Sequence, residues 1–528
     1  MSSRVVIYGL VAGALVGLLG SALRALLDLV MDGVSYVLRF RPPGPTGEGG
    51  LMMAFGETFP WGLLAIPVLA ALAVLLRGRD ADDPLEEAVR HYHGERDGWP
   101  PLASQFRAVA GSVLAYASSA AVGRDGPFAA LGNLGARVLV RLARLSLAEG
   151  RTLALACTAA ALGLVLHAPI AAAVLAVEML YRRFEFEVEV LLPSLLASVA
   201  AYAVYGAVHG FGPLVSANVL EPPVLTQVPL YGLLALAVGA VAWLVAFLRS
   251  ELPAVETVPV PRAVLAAVFG LIVAAVAYFM PEVLGDGTGW WELSLTHVQD
   301  TESAVQGLVR AALVLGVAWL GLGGTVLSSV SAGGLLGVGL AALVPGLSLD
   351  ASVAGLVGAA AFLTTTHNVP VAATLLLAAW GGDALLPALL AGTLLSHAVS
   401  GEASILRTQA RSRATSGAHA LPVPPVAPEQ AVDPPPAQEA AAAEAGVEEQ
   451  LYRLPVPTAW LGLPAEHVVW PAEVQYVAVV RDGEVTLTGP GDAFREGDEL
   501  VLLAEPAHFE GFSSTLASLR GAASTTDT

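Results

Sequence analysis

The 528-residue chain contains no lysine; all 26 of its basic residues are arginine. Against 45 acidic residues they leave a formal charge of −19. That excludes the broad basic face a nucleic-acid partner needs. Cysteine is almost absent too. Cys157 stands alone in an apolar run, so neither an intrachain disulfide framework nor a cysteine metal site can form, and it is expected to be a small buried hydrophobe. Charge of either sign is scarce at 13% of residues, against roughly a quarter in soluble domains, while 55% are hydrophobic and the mean hydropathy is +0.68. A water-soluble globule is excluded, and a membrane protein is expected. A P-loop, a dinucleotide fingerprint and a Ser/His/Asp arrangement are also missing, so the sequence points to no enzyme, no catalytic residue and no resident cofactor.

What is present is a series of apolar stretches from Val5 to about Ser400. The first follows a single arginine without an evident cleavage site and is expected to be a retained span. Several stretches are cut by Gly, Pro and charged residues and are too short for ~30 Å of hydrocarbon at 1.5 Å per residue. Broken helices are expected, and irregular backbone at membrane depth must be buried in protein or line a polar cavity. One sequence echo suggests two halves of similar design: His167-Ala-Pro169-Ile-Ala-Ala and, two hundred residues on, Asn368-Val-Pro370-Val-Ala-Ala.

Charge divides the chain. From Leu421 onward there are 17 acidic and 4 basic residues, a balance of −13, which leaves −6 for the first 420. Residues 421–450 are rich in Pro, Ala and Glu and are expected to be a linker. Residues 451–517 alternate apolar and polar side chains around Asp482-Gly483, the signal of a hairpin in a small β-rich domain. Residues 518–528 are small and polar, an expected frayed tail.

The chemistry concentrates at Gly123-Arg124-Asp125-Gly126-Pro127-Phe128, which interrupts one apolar run and opens the next. Pro127 suits the first turn of a helix and Gly126 permits close backbone approach. A helix beginning inside the membrane presents free amides and a positive dipole end, which attract an anion. Asp125 can compete for that potential as a gate, or can simply cap its own helix; intramembrane carboxylates are costly and usually functional. His91 and His93 lack a third ligand and are expected in a hydrated loop, without metal. Trp290-Trp291 suggests an interfacial anchor, and Arg182-Arg183 a cytoplasmic flank.

Gly123 to Pro127 resembles the GREGP motif of the CLC chloride channels and chloride/proton exchangers, with Asp in place of the gating Glu. The run from Leu131 to Leu180 is similar to the helices that follow, Pro281-Glu282-Val283-Leu284-Gly285-Asp286-Gly287 resembles the PEVLGxG turn, and residues 405–419 resemble the end of the membrane domain in a bacterial branch. The resemblance covers about residues 5–419. It implies an all-α polytopic membrane domain over 1–420, with two inverted repeats and broken helices. It further implies a homodimer in the inner membrane, with an anion pathway in each subunit carrying chloride or a similar anion.

Carried over residue by residue, that resemblance places an anion site at Gly123, Arg124, Gly126, Pro127 and Phe128 and at the backbone amides of Thr325, Val326 and Leu327. Several polar side chains of the family are replaced. Its GSGIP loop falls on Asp80 to Pro84, putting Ala81 at the serine and Asp83 at the residue before the proline; its late tyrosine falls on Leu406. The inner proton-passing glutamate falls on Met179, next to Glu178. A thioether cannot relay a proton, and Asp125 reaches roughly 1.5 Å less far than Glu. Passive anion flow is therefore favoured, with proton-coupled exchange through Glu178 or water as the alternative. Asp82 and Asp83 would repel anions unless paired with Arg77, Arg79 or Arg90. Residues 451–517 resemble a TrkA-C domain, a cytosolic α+β module that pairs as a dimer and in some cases binds a small ligand such as a cyclic dinucleotide. A transport-weak sensor acting through that domain is a third alternative.

Overall fold

The computed structural model describes residues 3–38, 40–44, 52–53, 61–78, 82–94, 100–217, 219, 222–296, 301–344, 346, 349–416, 418–419, 450–457, 460–464, 468, 470, 474–481, 484–486, 493–495 and 497–504. The chain divides into two units, Met1–Ala420 and Leu421–Thr528.

Among the described residues the first unit forms sixteen α-helices. The first half holds α1 (Ser3–Leu38), α2 (Ala65–Arg77), α3 (Pro84–His93), α4 (Leu102–Ala117), α5 (Asp125–Ala143), α6 (Leu147–Val165), α7 (Pro169–Glu178) and α8 (Val188–His209). The second holds α9 (Val228–Glu251), α10 (Arg262–Phe279), α11 (Thr288–Thr296), α12 (Glu302–Leu320), α13 (Thr325–Leu343), α14 (Ala351–His367), α15 (Pro370–Gly381) and α16 (Leu386–Ser400). A two-residue ribbon, β1 (Phe40–Arg41) with β2 (Met52–Met53), follows α1. Eight helices among the described residues are long and apolar enough to cross a bilayer. Large apolar side chains such as Ile7 and Leu18 on α1 and Leu271 and Phe279 on α10 face outward, where hydrocarbon rather than water suits them.

The two-half echo is realised in the backbone. After α6 and its C-cap Leu166 comes a residue of positive φ, His167 (52°), and Pro169 opens α7; α14 is capped by Asn368 (φ 59°), and Pro370 opens α15. Each proline lacks the amide that a first turn leaves unused, so the break costs little. The apolar stretch 152–180, continuous in sequence, is thus a pair of helices, and 369–400 holds α15 and α16, parted at Gly382.

Two expectations fail in this unit. Trp291 is fully buried, its ring tilted against that of Trp380 and close against Gly334 and Gly355, while Trp290 donates its indole N–H to Leu284 O at 3.2 Å; the pair packs into the core rather than at a membrane interface. His91 and His93 lie on α3, not in a hydrated loop. The His93 ring is buried between Ser416 Oγ (2.7 Å) and Leu180 O (3.0 Å), tying α3 to the end of the unit.

The second unit contains a four-stranded antiparallel sheet in the order β3 (Gln450–Pro455), β6 (Glu499–Ala504), β4 (Val474–Arg481), β5 (Glu484–Thr486). Its core includes Val474, Val479, Phe494, Leu500 and Leu502. Arg481 pairs with Glu484, the register a two-residue turn dictates; the turn residues Asp482-Gly483, the linker 421–449 and the tail lie outside the described residues. Arg481 also grips Asp498 with two hydrogen bonds, Nε to Oδ1 at 2.9 Å and Nη2 to Oδ2 at 2.7 Å. This bond holds the Asp498 carboxyl below the usual carboxylate range.

Candidate functional site

The site begins where two helices from opposite halves start. α5 opens at Asp125 and α13 at Thr325, and the two N-termini meet through a backbone bond from Gly123 N to Gly324 O at 2.8 Å. Glycine makes this approach feasible. Gly324 has φ 73°, and a Cβ there would lie 2.1 Å from Gly123 O. The segment leading to α5 carries Ser119 and Ala121 at φ 57°, a strained conformation held by Gly285 N bonding to Ser119 O (3.0 Å) and by Ser328 Oγ bonding to Ala121 O (2.6 Å).

Asp125 is fully buried at the meeting point. Its carboxylate turns to the facing helix: Val326 N donates to Oδ2 at 3.0 Å and Leu327 N to Oδ1 at 3.3 Å. Asp125 therefore caps α13, where free amides and the helix dipole are aimed at negative charge. Thr325, whose amide was expected beside those two, contributes its hydroxyl instead, 3.1 Å from His367 Nε2.

Arg124 does not enter this cluster. Its Nε donates to Asp286 Oδ2 at 2.8 Å, and Asp286 Oδ1 accepts from Thr288 N (3.1 Å) and Thr288 Oγ1 (2.7 Å). The Pro281–Gly287 turn thus clamps the residue preceding Asp125 with a buried ion pair. Gly126 and Pro127 form the first turn of α5, and Phe128 is buried behind them. A cavity beside the start of α5 is lined by Arg24, Asp28, Arg41, Arg124, Phe128 and Asp286, among others. Its three arginines are each paired with an aspartate: Arg24 with Asp28, Arg41 with Asp32 and Arg124 with Asp286.

The substituted positions are placed as follows. Asp82 pairs with Arg90, which meets the stated condition for relieving its repulsion. Asp83 is the N-cap of α3, its Oδ1 accepting from Leu85 N at 2.8 Å. Arg77 and Arg262 donate to the carbonyls of Gly321 (2.5 Å) and Leu320 (2.6 Å), bracing the turn into Gly323-Gly324. Leu406 is buried in the core, and Ala81 lies outside the described residues. Met179 is buried, its carbonyl accepting from Gln409 Nε2 at 3.0 Å. Glu178 meets the N-terminus of α15, where Val371 N (3.0 Å) and Ala372 N (2.7 Å) donate to its two oxygens. Among the described residues no group of three or more His, Cys, Asp or Glu is placed to hold a metal ion.

Residues 61–401 match the family described as voltage gated chloride channel. The chain belongs to that family. The activity that accompanies it is anion transport, and its members are channels and transporters rather than enzymes. The chain is 28% identical over 333 residues to a putative chloride channel protein ClcB-like of Ralstonia nicotianae, an alignment covering 58% of this chain and 74% of the relative. Among solved structures it resembles a CLC-type fluoride/proton antiporter (TM-score 0.64, 19% identity, 78% of this chain and 98% of that one). It also resembles a slow cyanobacterial Cl−/H+ antiporter (TM-score 0.60, 18% identity, 76% and 96%). These likenesses establish a voltage gated chloride channel fold in a multi-pass integral membrane protein.

Sequence reasoning located Asp125 and the α13 amides but missed three partners: Asp286 for Arg124, the α15 N-terminus for Glu178, and His367 for Thr325. Asp286, the one Asx of the PEVLGDG turn, was the available signal for the first. The others join residues 42 to 194 positions apart, which no local pattern announces.

Proposed function

We propose that the chain is a gated passive anion channel, carrying chloride or a similar small anion, in which Asp125 is the gate. The observation that carries this is the Asp125 carboxylate resting on the amides of Val326 and Leu327. A carboxylate there occupies the positive end of α13 that a permeant anion needs, so anion entry requires Asp125 to leave. Gly123, Arg124, Gly126, Pro127 and Phe128 shape the opposing helix start. Passive flow is favoured because the inner position holds Met179, and because both oxygens of the adjacent Glu178 are engaged by backbone amides.

A second possibility is proton-coupled antiport, the activity named for both structural neighbours above. The observation in its favour is Glu178, a buried carboxylate one residue from Met179. The protein would act as a homodimer in the inner membrane with a cytosolic C-terminal domain of TrkA-C type; the antiparallel sheet around Arg481 and Asp498 supports such a module, which would clamp the dimer or take a small ligand such as a cyclic dinucleotide. Chloride efflux from proteoliposomes with valinomycin, recorded together with external pH, separates the two mechanisms. Efflux without proton movement is the expected result, and uphill proton uptake in fixed proportion to chloride would establish antiport.

A further inference from the structure

The side chains at the family's polar pore positions are Ala81 and Leu406, neither of which donates a hydrogen bond. Polar capacity reappears at the end of α14. The His367 ring is buried directly behind the first residue of α13, with Thr325 Oγ1 3.1 Å from Nε2 and Thr366 Oγ1 3.0 Å from Nδ1. Gln409 Nε2 donates to His367 O at 2.9 Å, while Gln409 Oε1 is buried without a protein partner. A buried amide oxygen left unsatisfied on the side chain that holds the His367 backbone carbonyl marks a place where the protein alone does not complete the hydrogen bonding.

The ring's hydrogens can be placed. Thr366 has one hydroxyl hydrogen and gives it to Phe362 O at 2.8 Å, so toward Nδ1 it accepts, and Nδ1 carries a hydrogen. In the neutral ring Nε2 is then an acceptor and takes the Thr325 hydroxyl. A second proton reverses that bond: Nε2–H donates to Thr325 Oγ1, and the Thr325 hydroxyl hydrogen is released to another acceptor. Thr325 immediately precedes the two amides that hold Asp125.

We propose that His367 and Thr325 form the side-chain half of the anion site. An anion replacing the Asp125 carboxylate on the Val326 and Leu327 amides is bound together with one proton, taken from solution onto His367. The imidazolium supplies the positive charge, and the freed Thr325 hydroxyl supplies a donor. The ligand class is a small inorganic anion that accepts hydrogen bonds. This rests on the assignment of Asp125 as gate. With a thioether at Met179 the ring has no relay to the inner side, so its proton returns to the side it came from and net anion flow carries none.

The titratable groups around the ring are few. Across the start of α13 lies Asp125; on α3 Asp83 is engaged as an N-cap; on α7 Glu178 is held by the α15 amides. In the turn after α7, Tyr181 donates to Glu187. In the segment after α16, Arg407 donates to the carbonyls of Arg249 and Leu252. Among these described groups Asp125 is the competing proton acceptor at the α13 amides, and removing it leaves His367 to be read by itself.

The test uses the purified full-length Asp125→Ala protein titrated with potassium chloride, and separately potassium fluoride, by calorimetry in buffers of different ionisation heat. About one proton is expected to be taken up per anion bound, with affinity falling about tenfold per pH unit where the free ring is neutral. Adding His367→Gln, or His367→Asn should the first variant fold poorly, is expected to abolish both effects while anion binding persists at a pH-independent level. Proton uptake that survives in the double variants, or anion binding to Asp125→Ala with no uptake, overturns the proposal alone. Absence of any anion binding to Asp125→Ala overturns the gate assignment with it.

Discussion

Two buried carboxylates, Asp125 and Glu178, each accept two backbone amides from the first turn of a helix in the other half of the molecule. The electrostatics are the same: a negative group satisfies orphan amides and the positive end of a dipole. The mounting differs. Asp125 stands in the first turn of α5, between Gly123 and Gly126, next to Arg124, which lines a cavity. Glu178 is the last residue of α7, and its contact joins the two helices that the sequence echo relates, α7 and α15. On the function proposed above, Asp125 stands where an anion takes its position. Glu178 serves as a strut between repeats. A carboxylate on a helix N-terminus is therefore not in itself a gate; what surrounds it decides.

The largest effect is expected from loosening the clamp that only Asp125 has. Arg124→Met leaves Asp286 buried without its cationic partner and should destabilise the membrane unit by about 3–5 kcal/mol, seen as a marked fall in the melting temperature of the purified protein. An unchanged melting temperature would mean the Pro281–Gly287 turn does not brace the gate. Asp125→Ala comes next. Removing the carboxylate's competition for the α13 amides, worth about 1.5–3 kcal/mol, should raise anion flux at neutral pH by roughly ten- to a hundredfold, and an anion on the freed amides should offset the stability lost. Glu178→Gln should invert that pattern, costing about 1–3 kcal/mol of stability while leaving flux per folded protein within about twofold. If Glu178→Gln instead abolishes proton-linked flux, the two carboxylates share a transport role and the contrast between them collapses.

The smallest effect belongs to the soluble unit and concerns pH. The Asp498 carboxyl is held below its ordinary value by Arg481, so the pair stabilises the sheet above the unfolded value near 4 and loses that contribution as the pH falls below it. The protection of the β4 and β6 amides against hydrogen exchange, taken relative to the intrinsic rate at each pH in the full chain, should fall on acidification below about pH 4, and Asp498→Asn should flatten that response.

Local signals made the skeleton of this account legible. Glycines around an isolated carboxylate announced the start of α5, the two X-Pro echoes announced the breaks before α7 and α15, and Asp482-Gly483 announced the β4–β5 register. What stayed hidden depends on distant partners. Trp290-Trp291 carries the composition of a membrane anchor, yet Gly334 and Gly355 open a pocket in the core for Trp291, and no property of the tryptophans reveals those glycines. His93 sits among charged residues, but α3 turns it inward toward Ser416. Asp125 fits the pattern of a cap for its own helix; only the meeting of α5 with α13 shows that it caps the other one.

The most direct test of the gate compares chloride efflux from proteoliposomes holding the wild-type protein or Asp125→Ala across a range of pH. The wild type should conduct weakly at neutral pH and more on acidification, as protonation removes the carboxylate's claim on the Val326 and Leu327 amides; Asp125→Ala should conduct strongly at neutral pH. Equal flux and equal pH dependence in the two proteins would contradict the assignment of Asp125 as the gate.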